Sequence, residues 1–535
     1  MSTGGLPKSI DLSHHLSDVA NARLPSPLKL LAKYAYTPGM IPLAGGMPNP
    51  SYFPFSAIHV DALVTNSFAP ISLERRQSGT FSWLWNMFGS KEKTVPFAVK
   101  KYPDHPGDID LATTLQYGTA EGSIQLREIC QAFTERVYQP AYEDWKVLLH
   151  TGNTDGWSRI VTTFTNHGDW ILAEEWTYPS ALSTVQPWGI KAAPVTVDGE
   201  GLSAVDLRKI LAGWDEAERG GKRPHVLYTI PVGQNPTGGT LSAQRKQEVY
   251  NICVEFDVII VEDDPYYFLQ MPHYVPKETR KTSASPFDTD EDNYLRKLVP
   301  SYLKFDWQGR VIRLDTFSKT IAPGVRLGWF TCNPTFAENL LRQGQTSTQA
   351  PCGLGQAMVA QLLITWKPDG YIRWLRGLGQ QYTDRRDHFI DLLRAKFHTL
   401  TSVSEHNFWK GCTVYDAYLE TGSPSEKTGA FEKVKCFSFV APSAGMFIWL
   451  KFYFDSHPKF GKKSVETLEM HLWEELAKAE VLVAPGWMFS ADQENTPDGK
   501  YEGHYRISFS TATFSDMKRG VDIIAEVMKS FLHDD

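Results

Sequence analysis

The stretch at residues 315–328, DTFSKTIAPGVRLG, decides how the rest of the chain is interpreted. It follows a strand-like apolar run at 311–314 and places Lys319 between two hydroxyl side chains. A lysine at the end of a buried strand is unusual, because lysine is seldom fully buried unless it is paired or used covalently. A desolvated amine has a lowered pKa and can form a Schiff base with a carbonyl group. The stretch therefore predicts a site centred on Lys319.

Three more side chains of this stretch suit a phosphate. Thr316 and Ser318 offer hydroxyl donors, and Arg326 can bind a phosphate in a bidentate way. A lysine imine beside a phosphate site indicates pyridoxal 5′-phosphate (PLP), which carries an aldehyde and a phosphate on one ring. Taken alone, the stretch is equally compatible with a solvated loop and a surface arginine.

The composition is ordinary for a globular protein and argues against two functional classes. The 535 residues are enough for two or three domains, and the net charge of -7 gives no sign of nucleic-acid binding, which needs a basic patch. No apolar run is long enough to span a bilayer. The first residues have no signal-peptide core, and the six cysteines form no Cys-x-x-Cys pair. We therefore expect reduced thiols and a cytoplasmic protein.

From residue 145 onward, short apolar segments alternate with helix-like segments. Strands are expected at 145–150, 170–173, 225–230, 258–261, 311–314 and 329–332. Wholly apolar strands separated by helices predict a mainly parallel sheet covered on both faces, which is an α/β fold. In such sheets ligands bind beyond the carboxyl ends of the strands.

The C-terminal part of the chain predicts a smaller α+β domain. It follows a helical region at 335–400, which we expect to break at 367–370. We predict three parts: an N-terminal arm with part of the small domain (1–60), a large PLP-binding domain (61–365) and the C-terminal small domain (366–535). Polar segments near 71–105, 271–305 and 403–437 are expected to be surface insertions, the first with an aromatic cluster at 83–88.

Further polar residues follow the predicted strands. Asn153 and Thr154 open a helix and can donate to a phosphate, or simply cap that helix. Asp264 follows the strand at 258–261 and can hold a pyridine nitrogen protonated, unless it is a structural aspartate. Asn235 and Tyr267 can contact the phenolate oxygen of the PLP ring.

Tyr178 can stack on a planar ring, or it can be an ordinary residue packed in the protein interior. Because all these motifs fall on one sheet edge with Lys319, we interpret them as one site.

Several of these motifs resemble the fold-type I PLP-dependent aminotransferases of class I/II. The motifs are 235–238 (NPTG), 262–267 (EDDPYY) and Ser318-Lys319 with Arg326. The segments 43–50 (LAGGMPNP), 115–118 (LQYG) and 506–510 (RISFS) are similar to the branch that holds kynurenine/2-aminoadipate aminotransferase and the fungal aromatic aminotransferases. The resemblance runs from about residue 24 to the end of the chain.

The resemblance implies a large, mainly parallel sheet domain, a smaller α+β domain and a role for each matched residue. Lys319, Asp264 and Tyr178 are the implied catalytic residues; Lys319 binds PLP covalently and shuttles a proton, and Asp264 pairs with the ring nitrogen. The other implied cofactor contacts are Asn153, Thr154, Asn235, Tyr267, Thr316, Ser318 and Arg326. Tyr117 of a second subunit joins the phosphate site, which implies a homodimer. Arg506 binds the substrate α-carboxylate, with Gly46 and Asn235 also lining the substrate pocket.

The implied reaction is a ping-pong transamination between an amino acid and a 2-oxo acid such as 2-oxoglutarate. Some relatives carry an arginine for the distal end of the substrate where this chain has Lys29, which favours an aromatic donor. Two departures in the phosphate motif are Asn153 and Thr154, where relatives have Ser-Gln. The alternatives are a 2-aminoadipate or kynurenine aminotransferase, and a PLP-dependent lyase or decarboxylase on the same fold. A DNA-binding regulator with an aminotransferase-like domain is disfavoured, because the PLP motifs begin too near the N-terminus.

Overall fold

The structure is a computed structural model that describes residues 5–25, 27, 37–41, 43–44, 46–68, 93–105, 107–280, 290–405, 408–421, 432–492 and 503–532. Lys29 and the aromatic cluster at 83–88 lie outside the described residues. The described strands are β1 (Ala57–Leu63), β2 (Thr94–Lys100), β3 (Lys146–His150), β4 (Trp170–Glu174), β5 (Lys191–Val195), β6 (Val197–Asp198), β7 (Gly201–Leu202), β8 (Val226–Thr229), β9 (Ile259–Asp263), β10 (Val311–Thr316), β11 (Gly328–Cys332), β12 (His398–Val403), β13 (Thr413–Thr421), β14 (Glu432–Val440), β15 (Phe447–Phe452), β16 (Ala484–Pro485) and β17 (His504–Ser508).

The described α-helices are α1 (Asp18–Ala22), α2 (Leu111–Thr114), α3 (Ile124–Tyr138), α4 (Asn153–Phe164), α5 (Pro179–Val185), α6 (Ala204–Ala212), α7 (Glu216–Arg219), α8 (Ala243–Glu255), α9 (Glu291–Lys297), α10 (Pro334–Gln345), α11 (Gly353–Lys396), α12 (Val465–Lys478) and α13 (Phe514–Phe531). The backbone of α11 leaves the helical conformation at Lys367, where a break was predicted. No helix among the described residues is both long and apolar enough to cross a membrane.

A seven-stranded sheet in the order β3-β11-β10-β9-β8-β4-β5 forms the centre of the molecule. Its strands run parallel except β11, which is antiparallel to both neighbours. Every residue of β8, β9, β10 and β11 is buried, because helices cover both faces of the sheet. The α/β class and the mainly parallel sheet are therefore confirmed.

Alternate residues of β9 belong to different hydrophobic layers. Ile259 and Val261 pack in the core that contains Trp157 of α4. Ile260 packs in the core on the opposite side, with Tyr267. This alternation follows from the two-residue period of a strand. It decides which side chains at the end of β9 face the layer that contains α4.

A second sheet of six strands, in the order β12-β13-β14-β15-β17-β16, is antiparallel throughout. Strands β13 and β14 form its central hairpin, with Val414 and Ala417 buried. The prediction of a surface insertion at 403–437 is therefore wrong: polar residues on the outer face of this antiparallel hairpin hide a buried face. The division of the chain at residues 60 and 365 stays a prediction.

The other two predicted insertions also contain regular structure. In the first, β2 pairs along its whole length with β1. In the second, Tyr302 and Leu303 are fully buried, so the end of this segment belongs to the core rather than to the surface. The six cysteines are free thiols.

Candidate active site

A cavity of about 290 Å³ lies at the carboxyl ends of the central parallel strands. Its volume is close to the lower end of the range for small-molecule sites, about 300 Å³. The cavity is lined by Asn153, Thr154, Trp157, Tyr178, Ser180, Ala181, Tyr228, Ile230, Asn235, Asp263, Pro265, Tyr266, Thr316, Ser318, Lys319, Pro323, Arg326, Phe447 and Arg506. Most of the predicted residues are thus brought together in one place.

Lys319 lies in this cavity just beyond the end of β10, and it is half-buried. Burial lowers the pKa of its amine, and the positive charges of Arg326 and Arg506 lower that pKa further. A larger fraction of the amine is therefore neutral than for an exposed lysine. The neutral form is the one that attacks a carbonyl or accepts a proton.

One side of the cavity is a site for an anion. Helix α4 begins there, so its unpaired backbone amides and the positive end of its dipole face the cavity. The hydroxyl of Thr316 donates to Ser318 Oγ at 2.8 Å, and Arg326 Nη1 lies 3.5 Å from the same Ser318 oxygen. These hydroxyl and amide donors and the arginine suit a phosphate, which is the ligand that the sequence predicted for Thr316, Ser318 and Arg326.

Gly152, at the N-cap of α4, keeps space open for Arg326. Its backbone has a φ of +103°, in the region that favours glycine. A Cβ at this position would lie 2.3 Å from Arg326 Nη2. The backbone conformation therefore favours glycine, and an added Cβ would displace the Arg326 guanidinium from its place beside α4.

The carboxylate that lines the cavity is Asp263, not Asp264. Asp263 Oδ2 accepts a hydrogen bond of 2.7 Å from the Tyr228 hydroxyl, and its Oδ1 accepts one of 2.6 Å from Asn153 Nδ2. Burial raises the pKa of Asp263, and these two hydrogen bonds partly offset the rise. A protonated ring nitrogen at this place would supply the positive charge that the buried carboxylate lacks.

Asp264 faces the opposite layer of the molecule, so its predicted role is wrong. Its Oδ2 accepts a hydrogen bond of 3.1 Å from Arg313 Nη1, and that guanidinium also contacts Glu262. The physical reason is the alternation along β9, because Asp263 shares the face of Val261 while Asp264 shares the face of Glu262. The two-residue period of a strand places the two aspartates on opposite faces, but it does not say which face meets the cavity.

Tyr267 also faces the layer opposite the cavity, so its predicted role is wrong, and Tyr266 lines the cavity instead. The Tyr267 ring packs under Arg313, with the guanidinium carbon 4.9 Å from the ring centroid. Tyr266 lines the cavity and packs edge-on against Phe447, with ring centroids 5.7 Å apart. Burial raises the pKa of Tyr266, so its hydroxyl stays protonated and can donate a hydrogen bond.

Arg506, on β17, brings a fixed positive charge to the cavity. Its Nη1 donates to Asn235 Oδ1 at 2.7 Å, and its guanidinium lies 4.2 Å from the ring centroid of Phe447 and 4.7 Å from that of Phe489. Among the described residues, no carboxylate forms an ion pair with Arg506, and its buried Nε has no hydrogen-bond partner. This guanidinium is therefore free to bind the carboxylate of a ligand.

Three other predicted residues differ from expectation or remain predictions. The Nδ2 of Asn153 is used by Asp263 and by the Leu314 carbonyl, so its side chain supports the carboxylate and is not free for a phosphate. Tyr117 is 70% exposed and does not line the cavity of its own chain. Gly46 is also exposed and outside the lining. The roles of Tyr117 and Gly46 stay predictions.

Sequence reasoning missed Tyr228, Ser180 and Trp157, which also line the cavity. Tyr228 lies inside the apolar strand β8, where a tyrosine is an ordinary core residue, so nothing in the sequence marked it. Ser180 follows Tyr178 on the first turn of α5 and was within reach of the same reasoning. Trp157 is on α4, one turn after the residues that were identified.

The residues present fit PLP. The anion site suits its phosphate, Asp263 suits a protonated ring nitrogen, and Lys319 in the same cavity suits its aldehyde. The Arg326 guanidinium at the start of α4 and the unpartnered Nε of Arg506 are both consistent with anionic groups of ligands entering this cavity.

Comparison with known proteins gives the family. Residues 86–418 match the family model for aminotransferase class I and II. An aromatic amino acid aminotransferase of Schizosaccharomyces pombe is 34% identical over 523 residues, which are 97% of this chain and 98% of that protein. The L-tyrosine:2-oxoglutarate aminotransferase atrD of Tapinella panuoides is 35% identical over 461 residues, 85% of this chain and 76% of that protein.

A solved structure agrees. The aminotransferase Aro8 from Candida albicans superposes with a TM-score of 0.81 at 32% identity, covering 99% of this chain and 100% of that one. With a family model that covers more than half of the chain and relatives above 30% identity over nearly all of it, the chain belongs to the class I and II aminotransferases.

Proposed function

We propose that the protein is a PLP-dependent aminotransferase that moves the amino group of an aromatic amino acid (tyrosine, phenylalanine or tryptophan) to a 2-oxo acid such as 2-oxoglutarate. The observation that carries the proposal is that one cavity is lined by Lys319, an anion site, Asp263 and Arg506. The names of the relatives support the aromatic donor.

The residues that would hold PLP follow from the cavity. Thr316, Ser318, Arg326 and the start of α4 would bind its phosphate, and Asp263 would hold its ring nitrogen protonated. Tyr266 and Asn235 would contact its phenolate oxygen, and Tyr178 would pack on its ring. When bound, PLP supplies an aldehyde and an electron-accepting ring that stabilises negative charge on the substrate Cα.

The chain itself supplies binding and proton transfer. Arg506 binds the substrate carboxylate and, because Asn235 and two phenylalanine rings hold the guanidinium, presents the substrate in one orientation. Lys319 Nζ, kept partly neutral by its surroundings, accepts the proton from the substrate Cα. Tyr228 and Asn153 fix the plane of the Asp263 carboxylate at the cavity wall, where a protonated ring nitrogen would stabilise its negative charge.

We also propose that the active unit is a homodimer in the cytoplasm, in which Tyr117 completes the neighbour's phosphate site. Support comes from a surface rich in exposed large side chains: Leu43 is 89% exposed, Tyr52 82% and Tyr117 70%. Gln116 Nε2 donates to the Pro48 carbonyl at 2.7 Å, so the segment of Tyr117 and the segment of Tyr52 lie on one surface. Light scattering after gel filtration tests this, and a fully active monomer would refute it.

The function is tested by absorbance spectra of the purified protein with PLP. We expect tyrosine to remove the visible band of lysine-bound PLP and 2-oxoglutarate to restore it, and we expect Lys319→Ala to lack the band. A wild-type spectrum in Lys319→Ala would refute the assignment of the lysine.

The same spectra separate the alternatives. A response to 2-aminoadipate or kynurenine but not to tyrosine would replace the aromatic donor and keep the transamination. Product analysis that finds loss of carbon dioxide or of the side chain, without a 2-oxo acid, would replace transamination by decarboxylase or lyase chemistry.

A further inference from the structure

A cluster of two histidines and an aspartate lies at the opposite edge of the central sheet from the cavity. His14 and His15 are on a short 3₁₀ turn, Ser13–His15, near the N-terminus. His14 Nε2 is 2.7 Å from Asp257 Oδ2, and His15 Nε2 is 3.2 Å from Asp257 Oδ1. Asp257 precedes β9 by two residues, so the cluster joins the N-terminal segment to the amino ends of the parallel strands.

The cluster faces a second cavity of about 690 Å³. His225, immediately before β8, lies beside it, with its ring centroid 5.2 Å from that of His15. The position of His14 at the mouth, with 56% of its side chain exposed, provides a path from solvent to the cluster. Nothing in the transamination chemistry uses this cavity, because its residues are not shared with the lining of the catalytic one.

The spacing of the cluster suits a divalent transition metal. The ligand atoms of His14, His15 and Asp257 all lie within 4.8 Å of one another. Tetrahedral Zn²⁺, with bonds of about 2.0–2.1 Å to nitrogen and oxygen, sets neighbouring ligand atoms about 3.3 Å apart. His14 Nε2 lies 2.7 Å from Asp257 Oδ2 and His15 Nε2 lies 3.2 Å from Oδ1, so side-chain shifts that bring both histidines to one carboxylate oxygen would admit the ion.

The surroundings of the aspartate resemble those of a ligating carboxylate. Arg310 Nη1 donates to Asp257 Oδ1 at 2.7 Å and holds the carboxylate plane, while Oδ2 remains directed at His14. Ligating carboxylates in metal sites are themselves hydrogen-bonded in this way. The guanidinium also adds a positive charge, which reduces the attraction for a cation, so we expect moderate rather than very tight affinity.

We propose that His14, His15 and Asp257 bind one Zn²⁺ per chain, with a water molecule from the second cavity as the fourth ligand. The ion ties the N-terminal segment to the amino end of β9. Two histidine nitrogens, a carboxylate oxygen and one open position form a donor set that Zn²⁺ accepts readily. The site is independent of the proposed transamination.

The proposal is tested by titrating Zn²⁺ into the full-length, PLP-loaded protein without a histidine tag, by calorimetry with a chromogenic chelator as competitor. The test variant is His14→Gln, because His14 is exposed and its loss leaves the core intact. The matched control is His105→Gln, an exposed histidine outside the cluster. We expect one ion per chain in the wild type and in His105→Gln, and a Kd at least about tenfold weaker in His14→Gln.

A second measurement reports the ligand geometry directly and needs no variant of His15, whose burial makes its variants prone to unfold. Co²⁺ in place of Zn²⁺ should give visible d–d bands of a tetrahedral nitrogen–oxygen site in the wild type and in His105→Gln but not in His14→Gln. Equal Zn²⁺ affinity in all three proteins, or no saturable binding to the wild type, would overturn the proposal. The cluster would then be a hydrogen-bonded clamp between the N-terminal segment and Asp257.

Discussion

The choice between two adjacent aspartates gives the sharpest test of the catalytic site. We predict that Asp263→Asn nearly abolishes transamination, while Asp264→Asn leaves it largely intact. The two substitutions remove the same charge from neighbouring residues, and both side chains are buried. They differ in the layer that they face: Asp263 lines the cavity, whereas Asp264 pairs with Arg313 behind the sheet.

The size of the effect follows from burial and charge. Asp263 is 6% exposed, and its two hydrogen-bond partners, Tyr228 and Asn153, are neutral donors. Opposite charges about 4 Å apart attract by about 4 kcal/mol at an effective dielectric constant of about 20. Since about 1.4 kcal/mol corresponds to a factor of ten, Asp263→Asn should lower kcat by roughly a thousandfold. The asparagine keeps the shape of the side chain, so the loss reports the charge.

The matched variant should instead affect stability. Arg313 keeps Glu262 and Asp315 as partners when Asp264 is replaced, so we expect a loss of about 1–3 kcal/mol in unfolding free energy and a change of less than about tenfold in kcat. Steady-state kinetics with tyrosine and 2-oxoglutarate, together with urea unfolding, measure both quantities. A larger kinetic loss in Asp264→Asn than in Asp263→Asn would refute the assignment of Asp263.

Three further predictions follow from the site and from a buried carboxylate. Gly152→Ala should weaken PLP binding about 10- to 100-fold by fluorescence titration, because its Cβ would lie 2.3 Å from Arg326 Nη2. The control Gly168→Ala, at a glycine with a similar φ of +82° and open space around it, should leave PLP binding unchanged. Equal effects of the two substitutions would mean that backbone strain alone is responsible. Arg506→Lys should raise KM for both the amino acid and the 2-oxo acid at least about tenfold, because lysine lacks the planar guanidinium that binds a carboxylate through two hydrogen bonds. The affinity for PLP should not change. Unaltered KM values would show that Arg506 does not bind the substrate. Burial raises the pKa of Glu174 from 4.5 to about 7, so the folded state holds a proton that the unfolded state releases, and stability falls as the pH rises between these values. Glu174→Gln should therefore gain stability relative to wild type across that interval in urea unfolding, and a pH-independent difference would contradict the shift.

Local features of the site could be predicted from the sequence because neighbours in the chain must also be neighbours in space. Thr316, Ser318, Lys319 and Arg326 lie within eleven residues, so any strand end there would bring them together. The strands themselves were recognisable because burial on both faces leaves wholly apolar runs. Errors arose where a polar face hid a buried one, as in the hairpin of β13 and β14.

The sequence by itself determined the fold class and the grouping of Lys319 with Thr316, Ser318 and Arg326, since these depend on hydrophobic pattern and short-range spacing. Only the tertiary structure decided which of two adjacent aspartates faces the cavity, because the choice depends on which layer each face of β9 meets. It also decided the contact of Arg506 with Asn235, which are 271 residues apart, because two sheets must pack against each other to bring them within 2.7 Å. Long-range contacts of this kind depend on the packing of whole layers, which no local pattern records.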